Sequence, residues 1–256
     1  MKDGNRGNFR FVGDYSSPLF RADSFTRMIF NIFRILGDLC HLLSFIVLIV
    51  KIKQTKSCYG ISFKTQGLYF IVFFCRYLDL YKVLLNPSRL SSGLVLYNSI
   101  MKVLYLSMTL YICNLMMRVS PYRTTYDRNG DSYKVVNWAI IPAAVLALIF
   151  RRHTGNFILD YAWTFSIYLE AVCIMPQIIM LQRYKEIENL TSNYVVLLGL
   201  YRFFYILNWI NRYTTEGRAF NWIVWISGIV QTILYCDFFY YYAISKWFGK
   251  KMSLPT

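Results

Sequence analysis

Charge is scarce in this chain. Asp, Glu, Lys and Arg together make up 16% of its 256 residues, whereas 56% are hydrophobic and 19% aromatic. So many long apolar segments exclude a soluble all-α domain and define a polytopic membrane protein. Acidic residues are scarcer still, 13 against 28 Lys and Arg, for a formal net charge of +15. In a soluble chain that excess would point to nucleic acid. Here much of it lies between apolar segments, where it orients the protein in a lipid bilayer, and no nucleic-acid partner is expected. Of six cysteines, Cys40, Cys75, Cys113, Cys173 and Cys236 fall inside apolar segments, only Cys58 lies in a loop, and no CxxC pair occurs. Disulfides and a zinc site are therefore not expected. No nucleophile–base pair and no metal-ligand cluster appears either, so the chain is read as a non-enzyme without cofactor. The opening residues lack the apolar core of a signal peptide and read as a polar extension over residues 1–28.

Seven apolar segments follow: Ile29–Val50, Thr65–Tyr81, Leu94–Met117, Val135–Phe150, Asp160–Leu181, Asn193–Asn211 and Trp222–Ser245. Each approaches or exceeds the length of a membrane-spanning helix, the second and fourth being short. They define a seven-helix domain over 29–245, with a short cytosolic tail at 246–256. The odd loops and the tail carry Lys51, Lys53, Lys56, Lys64, Arg118, Arg123, Arg128, Lys134, Arg183, Lys185, Lys246, Lys250 and Lys251. The even loops carry fewer than half as many, among them Lys82, Arg89, Arg151, Arg152 and Arg218. The positive-inside rule then places the tail in the cytosol and the N-terminus across the membrane. An internal echo supports repeats of three helices around one linker: Thr65 precedes Arg76, and Thr191 precedes Arg202, by the same spacing.

Polar residues inside these segments form stripes. The first carries Arg34, Asp38 and His41 at helical spacing, and the second carries Arg76 and Asp79, three apart and expected on one face. Asp160, Trp163 and Glu170 fall in the fifth, before the Pro176-Gln177 pair. The sixth carries Tyr201, Tyr205, Asn208 and Arg212 on one face, beside Arg202, and the seventh adds Gln231 and Asp237. Any one could be a satisfied core group or an interfacial anchor. Arg34, Arg76 and Arg212 at similar depth are harder to explain that way, because like charges repel unless an anion or carboxylates lie between them. The expectation is a basic cup facing the lumen, above a proton-sensitive layer of His41, Glu170, Arg202 and Tyr201.

At this point the strings NIFRILGDLCHLL, CYGIS, CRYLDLY, WTFSIYLE, VQTILYCDFFY and GKKMSLP resemble the KDEL receptor family of ER lumen protein-retaining receptors. The resemblance runs from about Phe30 to Pro255. It implies a SWEET- and PQ-loop-like fold in a 3+1+3 arrangement, cycling between Golgi and ER. It also implies binding of the C-terminal Lys/His-Asp-Glu-Leu signal of escaped lumenal proteins, tight in mild acid and released at neutral pH. By motif, Arg76 would hold the peptide's terminal carboxylate, Arg34 its Glu and Arg212 its Asp. Asp79, Asp160 and Trp163 would surround the fourth residue from the end, with Tyr205, Asn208 and Trp209 completing the site. His41, Glu170, Tyr201 and Arg202 would form the pH switch and lock. Lys250 and Lys251, with Asp237, would serve trafficking through the retrograde coat proteins. Departures are Asp160, where the family usually has Glu, Asn211 in place of a common Trp, and Asn221 near a familiar Asp. A SWEET-like transporter of a small solute is the alternative, though so basic a path would hold an anion rather than pass it.

Overall fold

The computed structural model describes residues 19–184, 186–216, 221–249 and 251–255. Its described residues are almost wholly helical: α1 Leu19–Thr55, α2 Phe63–Arg76, α3 Tyr81–Leu85, α4 Gly93–Arg118, α5 Ile141–Ile149, α6 Phe157–Val172, α7 Met175–Gln182, α8 Asn189–Glu216 and α9 Trp222–Trp247. Five stretches are long and apolar enough to cross a membrane: Ile32–Thr55, Gly93–Arg118, Phe157–Gln182, Asn189–Thr214 and Trp222–Trp247. Val136–Ile149 is a shorter apolar helix. Large apolar side chains such as Trp138, Ile158 and Ile233 stand exposed along these rods, as a bilayer requires and water would penalise. Residues 1–18 of the polar extension, and Lys185, Arg218 and Lys250, lie outside the described residues. The backbone of α1 begins at Leu19, ahead of the expected start at Ile29.

Three expected segments are not single uniform helices, and each departure has a local cause. The second ends at Arg76, and Leu78–Leu80 form a separate tight turn, so Arg76 and Asp79 are not neighbours on one helical face. Their partners pull apart: Arg76 reaches toward α6 and Asp79 toward α4. The fifth breaks between Val172 and Met175, where Pro176 opens α7 because it has no N–H to continue the ladder. The fourth begins as a π-helical turn at Val136–Ile140 and becomes α-helical at Ile141, with Pro142 in its first turn.

The packing brings chain-distant segments together. α1 lies along α8, and α2 is held between α4 and α6, with α9 against both α6 and α8. The α1–α8 approach is close at Gly37, where a Cβ would strike the Tyr205 ring. Glycine therefore permits the contact that sets Tyr205 beside Asp38.

One end of the bundle is tied shut. Ser62 caps α2 by accepting from the Thr65 N–H at 3.1 Å and gives its own hydroxyl to buried Asp131 at 2.9 Å. Asp131 also accepts from the Tyr126 hydroxyl at 2.7 Å. Gln177, wholly buried, accepts from the Ser62 N–H at 2.9 Å and donates to the Gly60 carbonyl at 2.8 Å. Its own N–H donates to Thr65 Oγ1 at 3.0 Å. The Pro176-Gln177 pair thus joins two helices that are far apart in sequence.

Gln177→Leu should strip two buried backbone groups of their partners, at about 1–3 kcal/mol each. Thermal unfolding of the detergent-solubilised protein should show a loss of about 2–5 kcal/mol. An unchanged melting curve would mean that Gly60 and Ser62 do not depend on that amide.

Candidate functional site

The opposite half of the bundle is hollow. A cavity of about 390 Å³ lies between α1, α2, α4, α6, α8 and α9. Its lower wall is built around Glu170, which is 3% exposed. Glu170 Oε2 meets Arg76 Nη1 at 2.6 Å, and Oε1 meets Arg202 Nη2 at 2.9 Å. The Tyr201 hydroxyl donates to the same Oε1 at 2.9 Å and accepts from Gln231 at 3.2 Å. Arg76 donates further to Ser166, Nη2 to its carbonyl at 3.0 Å and Nε to its hydroxyl at 3.2 Å. A guanidinium offers five N–H groups. Glu170 and Ser166 engage only part of that set, and Arg76 also lines the cavity. The two arginines of the Thr-to-Arg echo, Arg76 and Arg202, converge on this one carboxylate.

His41 lies between the arginine layer and the aromatic core. Its ring stacks on Tyr201 at 4.0 Å and 5°, with Tyr105 at 4.9 Å and Phe45 at 5.0 Å. It is buried, and Nε2 has no hydrogen-bond partner among the described residues. The expected layer of His41, Glu170, Tyr201 and Arg202 is thus one contiguous group beneath the cavity.

A second set of bonds holds the α1 wall. Asp38 accepts from the hydroxyls of Tyr97, at 2.8 Å, and of Tyr205, while Tyr105 donates to the Asp38 carbonyl at 3.0 Å. Arg34 lies 3.9 Å from Asp38 and bonds Asn98. Trp163 and Trp209 complete the walls.

Not every expected residue faces this space. Arg34, Arg76, Trp163, Tyr205 and Trp209 line the cavity with the His41 layer, whereas Asn208 and Arg212 do not. Asn208 is buried within the packing of α8. The third arginine of the cavity is Arg202 rather than Arg212, because α8, packed along α1, carries Tyr201, Arg202 and Tyr205 inward at the cavity's depth. Asp79 and Asp160 line an adjoining cavity of about 490 Å³, which shares Arg76 and Trp163 with the first. Both carboxylates are already engaged. Lys102 Nζ meets Asp79 at 2.6 Å. Asp160, 2% exposed, accepts from the Thr154 N–H at 2.6 Å and from the Thr154 hydroxyl, with Arg152 at 3.6 Å. Arg152 also lies over the Trp163 ring, 4.4 Å from its centre.

Sequence reasoning placed α4 as an apolar segment but missed what it contributes to the site. Asn98, Lys102 and Tyr105 line the cavity from one helical stripe. Lys102, a cation inside an apolar segment, carried the same signal that singled out Arg34 and Arg76. At the far end, Asp237 is exposed on α9. Lys251 pairs with Glu186 at 2.5 Å, and the tail folds back so that Met252 bonds Ile187 and, with Leu254, is buried.

The described residues thus form a helical, multi-pass membrane protein whose cavity carries more cations than carboxylates. Comparison with known proteins sharpens this class. Residues 57–212 match the family model of the ER lumen protein retaining receptor. An ER lumen protein-retaining receptor of Plasmodium falciparum is 45% identical over 226 residues, 88% of this chain and 97% of the relative. Receptor B of Arabidopsis thaliana is 47% identical over 227 residues, 88% of this chain and all of the relative. The Dictyostelium discoideum receptor is 47% identical over 232 residues, 88% of this chain and 99% of the relative. The chain belongs to the ER lumen protein-retaining receptor family.

Removing one member of a buried ion network is costly because the remaining charges lose their counter-ion. Glu170→Gln should lower stability by about 3–5 kcal/mol, read from thermal unfolding in detergent. Arg202→Met should cost less, since Glu170 keeps Arg76. Equal losses in the two variants would contradict a shared carboxylate at the centre.

Proposed function

We propose that this protein is a Golgi-to-ER retrieval receptor that binds the C-terminal Lys/His-Asp-Glu-Leu signal of escaped ER lumenal proteins. In this reading the helices form the seven-span, 3+1+3 arrangement, with α2 and the 136–149 segment as the two short spans. The cavity opens to the lumen, and the tail is cytosolic. The observation that carries the proposal is the placement of Arg34, Arg76, Arg202 and Lys102 around one cavity, with the carboxylates that the described residues put on its wall, Asp38 and Glu170, engaged by its own tyrosines and arginines. Such a wall favours a ligand rich in carboxylate. The planar fork of arginine suits carboxylates because it can offer two parallel N–H donors.

Within it, Arg76 takes the terminal carboxylate and Arg34 the Glu side chain. Arg212, off the wall of this cavity, meets the Asp near the rim. The cationic fourth residue meets the ring of Trp163, where Arg152 now lies. It reaches Asp79 and Asp160 by exchange with Lys102 and Arg152 rather than by filling unoccupied acids. Tyr205, Asn208 and Trp209 shape the α8 side. Lys250 and Lys251, with Asp237, serve return transport by the retrograde coat.

His41 is the switch in this reading. An unperturbed imidazole titrates at about 6.5, between the acidities of the two compartments. Facing it are Tyr69 of α2, Tyr105 of α4 and Tyr201 of α8, with Arg76, Glu170 and Arg202 lining the same cavity. If peptide binding is accompanied by proton uptake there, lower pH favours the complex and rising pH dissolves it.

Two outcomes test the reading. Arg76→Ala should abolish peptide binding, Arg76→Lys should restore it only in part, and amidation of the peptide's C-terminus should reproduce the loss. Equal binding of amidated and free-acid peptides in a direct binding assay would remove Arg76 from its role. In the parent protein, affinity should fall by about tenfold for each pH unit at most between about pH 5.5 and about pH 7.4, the limit for one coupled proton. His41→Ala should flatten that slope. A variant that still lost affinity as steeply would assign the proton to another group.

A further inference from the structure

Beside the main cavity, where α2 gives way to the following loop, lies a third hollow of about 510 Å³. The loop that builds it runs through α3 and the turn Pro87–Ser91 to the start of α4. Its cations are Lys82, Arg89 and Lys102, and its one acid is Asp79. Ser91, Ser92 and Ser99 add hydroxyls. Asp79 already belongs to Lys102, at 2.6 and 2.7 Å. Lys82 and Arg89 are exposed and have no acidic partner among the described residues; Lys82 lies only over the ring of Tyr81, 6.0 Å from its centre. Basic side chains held around a concave surface without acids to match them form an anion site in search of a ligand.

The position of this hollow identifies that ligand. It shares Asn98 and Lys102 with the main cavity, and Asp79, Lys82 and Lys102 with the cavity that contains Trp163 and Asp160. Lys102 lines all three and Asp79 lines the two outside the main cavity, so the pair forms a partition where they adjoin. A peptide whose last four residues fill the main cavity, with the fourth beside Trp163, must leave past this partition. The residues just before the signal then lie over Lys82 and Arg89.

We propose that this hollow is an upstream subsite that takes acidic side chains at the positions immediately preceding the retrieval tetrapeptide. The inference rests on the retrieval reading given above. Lys82 and Arg89 supply the attraction. Lys102 couples the subsite to the rest, because a ligand carboxylate that draws Lys102 toward it loosens its hold on Asp79. Asp79 is then freer to meet the cationic fourth residue. The subsite would sort clients that share the same last four residues, a discrimination the main cavity cannot make.

Three free-acid peptides measured against the full-length protein in detergent test this. All end in the same tetrapeptide, and differ only in Glu-Glu, Ala-Ala or Lys-Lys before it. In mildly acidic buffer of low ionic strength, the Glu-Glu peptide should bind about three- to tenfold more tightly than Ala-Ala, the scale of a pair of exposed ion pairs. Lys-Lys should bind more weakly than Ala-Ala. Added salt should shrink these differences, because exposed pairs are screened. The double change Lys82→Ala and Arg89→Ala should erase them while leaving the affinity for Ala-Ala as in the parent, which also verifies that the variant is folded. Lys82→Glu with Arg89→Glu should reverse the order, so that Lys-Lys binds best. If Glu-Glu and Ala-Ala bind the parent alike, or if the preference survives the double alanine change, the subsite is refuted while the retrieval reading stands. If none of the three peptides binds, the retrieval reading itself has failed, and the subsite with it.

Discussion

The site depends on a single carboxylate. Glu170 is buried between Arg76 of α2 and Arg202 of α8, with Tyr201 bonded to the same oxygen as Arg202. Two guanidiniums cannot share a low-dielectric space without an anion between them, and bringing three charges out of water is costly unless each is well bonded. The network meets that condition through Ser166 on one side and Tyr201 with Gln231 on the other. It fixes the separation of α2, α6 and α8, and hence the floor of the cavity. It also leaves the floor basic, since one negative charge faces two positive ones.

The two ends of the bundle divide the work between rigidity and exchange. At the closed end the bonds are buried and satisfied: Gln177 holds backbone groups of Ser62 and Gly60, and Asp131 accepts from the hydroxyls of Ser62 and Tyr126. Breaking them exposes unpaired polar atoms, so that end resists change. Above the buried floor, the Asp79–Lys102 pair is partly exposed, and Arg34 is partly exposed beside Asp38. Such pairs are weak in net terms and can trade partners with a ligand at little cost. His41 stands between these regimes, enclosed by aromatic rings yet with Nε2 unpartnered among the described residues.

Much of this was legible in the order of residues. Composition and the apolar segments specify an all-helical chain that crosses a membrane repeatedly, because apolar runs of this length span a bilayer as helices that satisfy their own backbone. The stripe Arg34, Asp38, His41 and the outliers Arg76, Glu170 and Arg202 stood out because a charge inside an apolar helix demands a partner. The break at Pro176 follows from the missing N–H, and Pro142 sits in the first turn of α5, yet both segments read as unbroken in the sequence.

Which partner each charge took was decided only by the tertiary structure. Arg76 and Asp79 look like a pair in sequence, but the end of α2 at Arg76 sends one to Glu170 and the other to Lys102, more than twenty positions further along the chain. Arg202 rather than Arg212 lines the cavity, because the packing of α8 against α1 selects the inward face. Asp160 faces Thr154 and Arg152 across a turn that no periodicity describes. Helical spacing fixes which residues share a face within one element, since that is a property of the local backbone. The neighbour a face meets depends on how separate helices dock, and that is set by interactions summed over the whole chain.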